Sequence, residues 1–238
     1  MNYSTTKTVA DYVTNNIKTA HIFKKHGIDF CCGGGISIEK ACRKNNVSID
    51  TLINELDNLE NNTNSFNNFN KWELDFLIDF IVNTHHKYVE ENLILLKQYG
   101  DRVAKVHGHL YSELFDIKEL IHVVAGELTS HMQKEELILF PFIKKLVNAK
   151  RDGTKIESPN FETIDNPIKM MEEEHDKAGD IFKRISELTN SYKTPEGACN
   201  TFKALYAKLE EFEDDLHQHV HLENNILFPK AKALSATI

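Results

Sequence analysis

Apolar residues recur along most of this chain at steps of three and four, the spacing that lines one face of an α-helix. Four long stripes follow residue 70. The first holds Ile78, Val82, His86, Val89, Leu93 and Leu96. The second holds Ile117, Ile121, Val124, Leu128, His131, Glu135 and Ile138. The third holds Ile168, Met171, His175, Ala178, Phe182 and Ile185. The fourth holds Phe202, Leu205, Leu209, Phe212, Leu216, His219, Glu223 and Ile226. Helices of this length joined by modest loops predict an all-α fold, an antiparallel four-helix bundle. Pro167 falls in the first turn of the third helix, where its missing N–H costs nothing.

Shorter helices precede the bundle. Val9, Val13 and Ile17 share one face, Gly27 is a good C-cap for a second helix, and Ser37 and Ser48 are N-caps for two more. Two stretches read as loop. One is Asp57 to Asn70, rich in asparagine (Asn58, Asn61, Asn62, Asn64, Asn67, Asn68, Asn70). The other runs roughly from Asn148 to Asn166, with Gly153 and Pro159. The expected organisation is a small helical N-terminal domain over residues 1–57, an Asn-rich linker over 58–70 and a bundle over 71–238.

Composition narrows the partners. The 238 residues carry a net charge of −8, and no basic patch is visible to meet nucleic-acid phosphates. No apolar run is long enough to cross a bilayer, and Met1 to Ala20 lacks the basic-then-apolar layout of a signal peptide. Four cysteines, two of them adjacent, do not form a disulfide framework. The expectation is a cytoplasmic protein with neither a nucleic-acid nor a membrane partner.

Chemistry enters through an internal repeat. His131 to Pro141 and His219 to Pro229 share the pattern H-x3-E-x2-I-L-F-P, 88 residues apart (131 to 219). The stripe histidines His86 and His175 stand 89 apart (86 to 175). The bundle therefore reads as two helical hairpins, each supplying one lone histidine and one His-x3-Glu pair. A His and a Glu four apart lie on one helix face, here the core face. Burying unpaired carboxylates and imidazoles is strongly unfavourable unless cations sit among them. A single core histidine usually finds a protein hydrogen bond, and a single His-x3-Glu is commonly a surface pair. Six such residues in phase, repeated, point instead to a two-metal site held by His86, His131, Glu135, His175, His219 and Glu223.

The other histidines read differently. His85 falls off the stripe. His217 and His221 pair with each other near Glu210 and Asp214, on a face expected to be solvated. His107 and His109 flank Gly108, at or past the end of the first long helix; they either line an entrance or belong to the loop, and the loop reading is preferred.

Imidazole suits iron and zinc, and carboxylates bridge metals. Carboxylate-rich di-iron bundles use more Glu than His. The inverted balance here favours an oxo or hydroxo bridge between two iron ions, with about one open position on each for six-coordinate iron. Zinc or manganese would also suit these ligand types.

These motifs carry a resemblance. The stretches S-H-M-Q-K-E-E-L-I-L-F-P (Ser130 to Pro141), E-E-E-H-D-K-A-G (Glu172 to Gly179) and L-E-N-N-I-L-F-P (Leu222 to Pro229) resemble hemerythrin-like bundles. Together with G-I-D-F-C-C-G-G (Gly27 to Gly34), they make nearly the whole chain similar to the RIC family, the "repair of iron centres" di-iron proteins. The resemblance implies repair of iron–sulfur clusters damaged by oxidative or nitrosative stress, a cytoplasmic location and a homodimer. It also implies the same six ligands, with His86 rather than His85 once His107 is aligned with the family's loop histidine.

Cys31 and Cys32 are candidates for iron transfer or redox work. Adjacent cysteines rarely bridge each other. The glycines after them permit close approach of a partner, and amide dipoles near Gly35-Ile36-Ser37 are expected to lower a thiol pKa. Cys42 and Cys199 read as structural. Three functions compete: an iron donor acting on damaged iron–sulfur proteins, an NO reductase or peroxidase, and a sensor of O2, NO or redox state.

Overall fold

The computed structural model describes residues 7–60, 69–156 and 161–238. The loop expectations at Asn61, Asn62, Asn64, Asn67, Asn68 and Pro159 fall outside the described residues. The fold is all-α. Among the described residues no strand forms, and an isolated antiparallel bridge joins Thr8 and Ser37. No helix there is long and apolar enough to cross a membrane. The chain gathers into two compact units, residues 78–216 and residues 1–77 with 217–238.

The first unit is the bundle. Helix α5 (Leu74–Ile81) leads into a π-helical turn, Val82–His86, and then into α6 (Lys87–His107). A short connection, 108–112, returns the chain as α7 (Glu113–Lys134), which lies against α6. A second π-turn, Glu135–Leu139, joins α7 to α8 (Phe140–Asp152). Helix α9 (Asp165–Leu188) packs on α7. Helix α10 (Asn200–Leu222) follows, its Phe212 stacking on Phe182 of α9 at 5.4 Å and lying 5.9 Å from Tyr88 of α6. Leu96, Ile117, Ile121, Phe182 and Phe212 are fully or almost fully buried in this unit, as the stripes require.

Three expectations fail locally. The first loop does not begin at Asp57, because a helix, Ile49–Glu60, continues past it. The second loop begins later than Asn148, because α8 runs to Asp152 and stops at Gly153, whose φ of 65° is the left-handed conformation glycine tolerates. Ile138 is 50% exposed while Leu139 is buried. A π-turn adds a residue to the helix, so everything after Glu135 is rotated by one position, about 100°.

The second unit holds α1 (Val9–Asn15), α2 (Thr19–Lys25), α3 (Ile38–Lys44) and α4 (Ile49–Glu60). From the chain's end it takes a third π-turn, Glu223–Leu227, and α11 (Phe228–Ser235). The caps are local chemistry. Asp11 N–H donates to Thr8 Oγ1 at 3.1 Å while Thr8 N–H donates back to Asp11 Oδ2 at 2.9 Å. Ser37 and Ser48 accept from Lys40 and Thr51. Gly27, at φ 66°, follows α2. Helix α1 packs on the third π-turn, and Lys230 donates to the carbonyls of Asn70 and Trp72.

Candidate metal centre

All six stripe residues are buried: His86, His131, His175 and His219 at 1–2% exposure, and Glu135 and Glu223 at none. In the bundle unit, His86, His131, Glu135 and His175 come together. Nε2 of His86 lies 3.4 Å from Oε2 of Glu135, and Nε2 of His131 lies 3.3 Å from the same oxygen. His131, Glu135 and His175 all offer ligand atoms within 4.8 Å of one another, and the Nε2 atoms of His131 and His175 are 3.0 Å apart. In the other unit, His219 Nε2 stands 3.1 Å from Glu223 Oε1.

Each π-turn touches this chemistry. His86 ends the first, Glu135 begins the second and Glu223 begins the third. The widened turn at Val82–His86 also explains why His85, expected off the stripe, is buried, with Nδ1 2.9 Å from Asp215.

The outer nitrogens decide the tautomers. His86 Nδ1 is 2.7 Å from a Glu136 oxygen, and His131 Nδ1 is 2.9 Å from a Glu174 oxygen. A carboxylate accepts only, so each Nδ1 carries a proton, and each Nε2 is turned inward, where a neutral ring would offer its lone pair. Both Nε2 atoms converge on the Glu135 carboxylate, and in neutral rings acceptors facing one another at this distance would repel unless a cation lay among them. Imidazole held by carboxylate on one nitrogen and offering the other is the arrangement metal ligands use. The donor set fits iron. Glu136 and Glu174 were not picked out from sequence, although each is adjacent to a stripe residue, Glu135 or His175. Burial opposes charge on Glu174, but Lys134 and His131 outweigh it and hold its carboxyl below the usual carboxylate range. Phe140 stacks on His86 with ring centroids 5.7 Å apart, fixing the imidazole plane.

The vicinal cysteines lie on a tight turn built on Asp29. Its carboxylate accepts from the N–H groups of Cys31, Cys32 and Gly33 at 2.9, 3.1 and 2.8 Å. Cys31 is buried and Cys32 half-buried, with their sulfurs 3.9 Å apart. The expected lowering of a thiol pKa is reversed at Cys31. Its neighbour Cys32, burial and the Asp29 carboxylate all push the value up, because the amides that would steady a thiolate already serve Asp29.

Two other expectations need correction. His221 is fully buried, not solvated, because Phe30 sets its ring edge-on at 6.0 Å. That burial pushes the imidazole down to about 4, partly offset by a hydrogen bond with the Phe30 backbone. Cys199 is exposed rather than structural. His107, expected at or past the end of its helix, is the last residue of α6, and its Nε2 sits 3.1 Å from the Cys199 sulfur.

Comparison with known proteins agrees with this geometry. The hemerythrin HHE cation-binding domain matches residues 77–231, and the ScdA_N domain, of unknown function, matches residues 5–60. The iron-sulfur cluster repair protein YtfE of Yersinia pseudotuberculosis serotype IB (strain PB1/+) is 37% identical over 210 residues, covering 88% of this chain and 89% of the relative. The protein of that name from Yersinia pestis (strain Pestoides F) is 36% identical over 214 residues, covering 90% and 91%.

Proposed function

We propose, on the premise that this chain belongs to the RIC family with its hemerythrin HHE cation-binding domain, that it repairs damaged iron–sulfur clusters by donating iron from a labile two-iron centre. His86, His131, Glu135, His175, His219 and Glu223 would hold the metal, the imidazoles as neutral donors and the two carboxylates as the anionic ones. One observation carries this: the fully buried Glu135 carboxylate faces Nε2 atoms of two imidazoles whose Nδ1 protons are held by Glu136 and Glu174. Iron bound by these residues, as an oxo- or hydroxo-bridged pair, would supply the metal that a damaged cluster has lost.

The chain's own residues set how tightly it is held. Four neutral imidazoles bring no charge, so only Glu135 and Glu223 neutralise the cations directly. Glu136 and Glu174 make the rings of His86 and His131 more basic through their Nδ1 protons. Protonation of those outer carboxylates weakens both rings as donors, a route to release.

Cys32 is the transfer thiol in this reading, since the raised pKa of Cys31 keeps that sulfur protonated near neutral pH. In this reading the thiol-bearing domain runs to the end of α4 at Glu60, a linker follows, and 71–238 carries the metal-binding helices. The partners are damaged iron–sulfur proteins, and the protein works as a homodimer.

The test is metal analysis with Mössbauer spectroscopy on protein purified without added metal, followed by incubation with an oxidatively inactivated [4Fe–4S] enzyme. Two coupled irons per chain, and enzyme recovery matched by iron loss from this protein, are expected. Sustained N2O formation from NO under a reductant, without transfer of iron, would favour the reductase. Light scattering checks the dimer.

A further inference from the structure

The repeat that carries the proposed ligands is broken at a position metal binding does not require. After the glutamate, the first copy reads Glu136-Leu137-Ile138 and the second Asn224-Asn225-Ile226. Leu137 is 76% exposed. Its counterpart Asn225 is half-buried, with its side-chain amide committed to the thiol turn. Asn225 Nδ2 donates to the carbonyl of Cys31 at 3.1 Å and to that of Phe30 at 3.3 Å, and lies 3.0 Å from Nδ1 of His221. Two carbonyl oxygens fix the amide's orientation, since only its NH2 end has protons to give.

The rest of the thiol turn is held by its own side. Asp29 gathers its amides, and Ala10 N–H donates to the Gly34 carbonyl at 2.8 Å. Gly34 has no room for a side chain, because a Cβ there would stand 2.4 Å from the Phe30 carbonyl oxygen. A rigid turn therefore presents the Phe30 and Cys31 carbonyls to Asn225, and Asn225 sits in the five-residue π-turn that begins at Glu223.

We propose that Asn225 is a positioning residue: it latches the Cys31–Cys32 turn to the turn bearing Glu223, so that occupancy of Glu223 governs access to the thiols. This rests on Glu223 being a metal ligand. A π-turn is one inserted residue away from ordinary helix, and a cation on Glu223 holds that register. Losing the cation frees the turn to slip, and Asn225, two residues on, releases the carbonyl of Cys31.

The test is residue-resolved alkylation by iodoacetamide, read by mass spectrometry on the full chain, iron-loaded and chelated. Wild type is compared with Asn225→Leu, the residue of the other repeat, and with Asn225→Gln. In wild type, chelation is expected to speed Cys31 labelling. In loaded Asn225→Leu, Cys31 is expected to react about tenfold faster, the worth of one or two neutral hydrogen bonds, with no further gain on chelation. Asn225→Gln, which keeps the amide, should recover part of the protection. Buried Cys42, remote in sequence from this turn, should stay slow in every variant. Unchanged Cys31 labelling in Asn225→Leu would overturn the latch, as would a parallel rise at Cys42, which signals general loosening. Failure of wild type to bind iron would sink the ligand reading and the coupling, while the Leu contrast in chelated protein would still decide the latch.

Discussion

Glu135 has no exposed surface, and an ionised carboxylate so placed costs several kcal/mol unless its charge is met. Replacing it with Gln removes the charge and keeps the shape. Glu135→Gln should therefore fold and lose most of its iron, measured as metal per chain after gel filtration. Glu174→Gln acts one step out and should weaken iron binding about 10–100-fold in competition with a chelator. The folded-state value of Glu174 is depressed, so its contribution is present above the unfolded carboxylate value of about 4.3 and lost as pH falls through the lower folded value. Iron retention should accordingly collapse on the acid side, with no such loss from this group near neutrality. At the thiols, the raised pKa of Cys31 predicts an order of reaction. Cys32 should be alkylated first at neutral pH, and Cys31 only well above the ordinary thiol value of about 8.5. Peptide mapping after labelling across pH reads this directly, and equal rates would count against it.

Among elements, the π-turns matter most. Each meets a proposed ligand, at His86, Glu135 or Glu223, and each changes which residues face inward. A strict 3.6-residue period ignores the extra residue of the second π-turn, so it wrongly puts Ile138 on the core face, and it leaves His85 off the stripe, yet it still captures every residue proposed as a ligand. The thiol turn offers a sharper element-scale test. Gly34→Ala would push a Cβ against the Phe30 backbone, whereas Gly35→Ala meets nothing within 4 Å. Urea denaturation should show Gly34→Ala losing on the order of 1–3 kcal/mol, as over-packing typically does, and Gly35→Ala staying close to wild type. Equal losses at both positions would show that the turn is not tight.

For the molecule as a whole, the metal is expected to be part of the folding energetics. Anything bound by the native chain and not by the unfolded one stabilises by mass action, about 2.7 kcal/mol at a hundredfold excess over Kd. Removing iron also leaves buried acids and imidazoles facing each other. Chelated protein should therefore melt several degrees lower than loaded protein by calorimetry, as expected for about 2–3 kcal/mol at this chain length. Glu135→Gln should narrow that gap, because its apo form buries one charge fewer. Identical melting of loaded and chelated wild type would show that no ion is bound in the core.

The helices, the six buried stripe residues and the caps at Ser37 and Ser48 were legible in the sequence, because they follow from spacing along one chain segment. Periodicity acts over a single turn, and a Ser side chain caps an amide only a few residues away. Tertiary structure decided what depends on distant partners. Phe30 buries His221, Glu174 claims the outer nitrogen of His131, and His107 meets Cys199 across 92 residues of sequence. The direction of the Cys31 pKa belongs with these. Glycines and a nearby helix start suggested free amides, and only the folded turn spends them on Asp29.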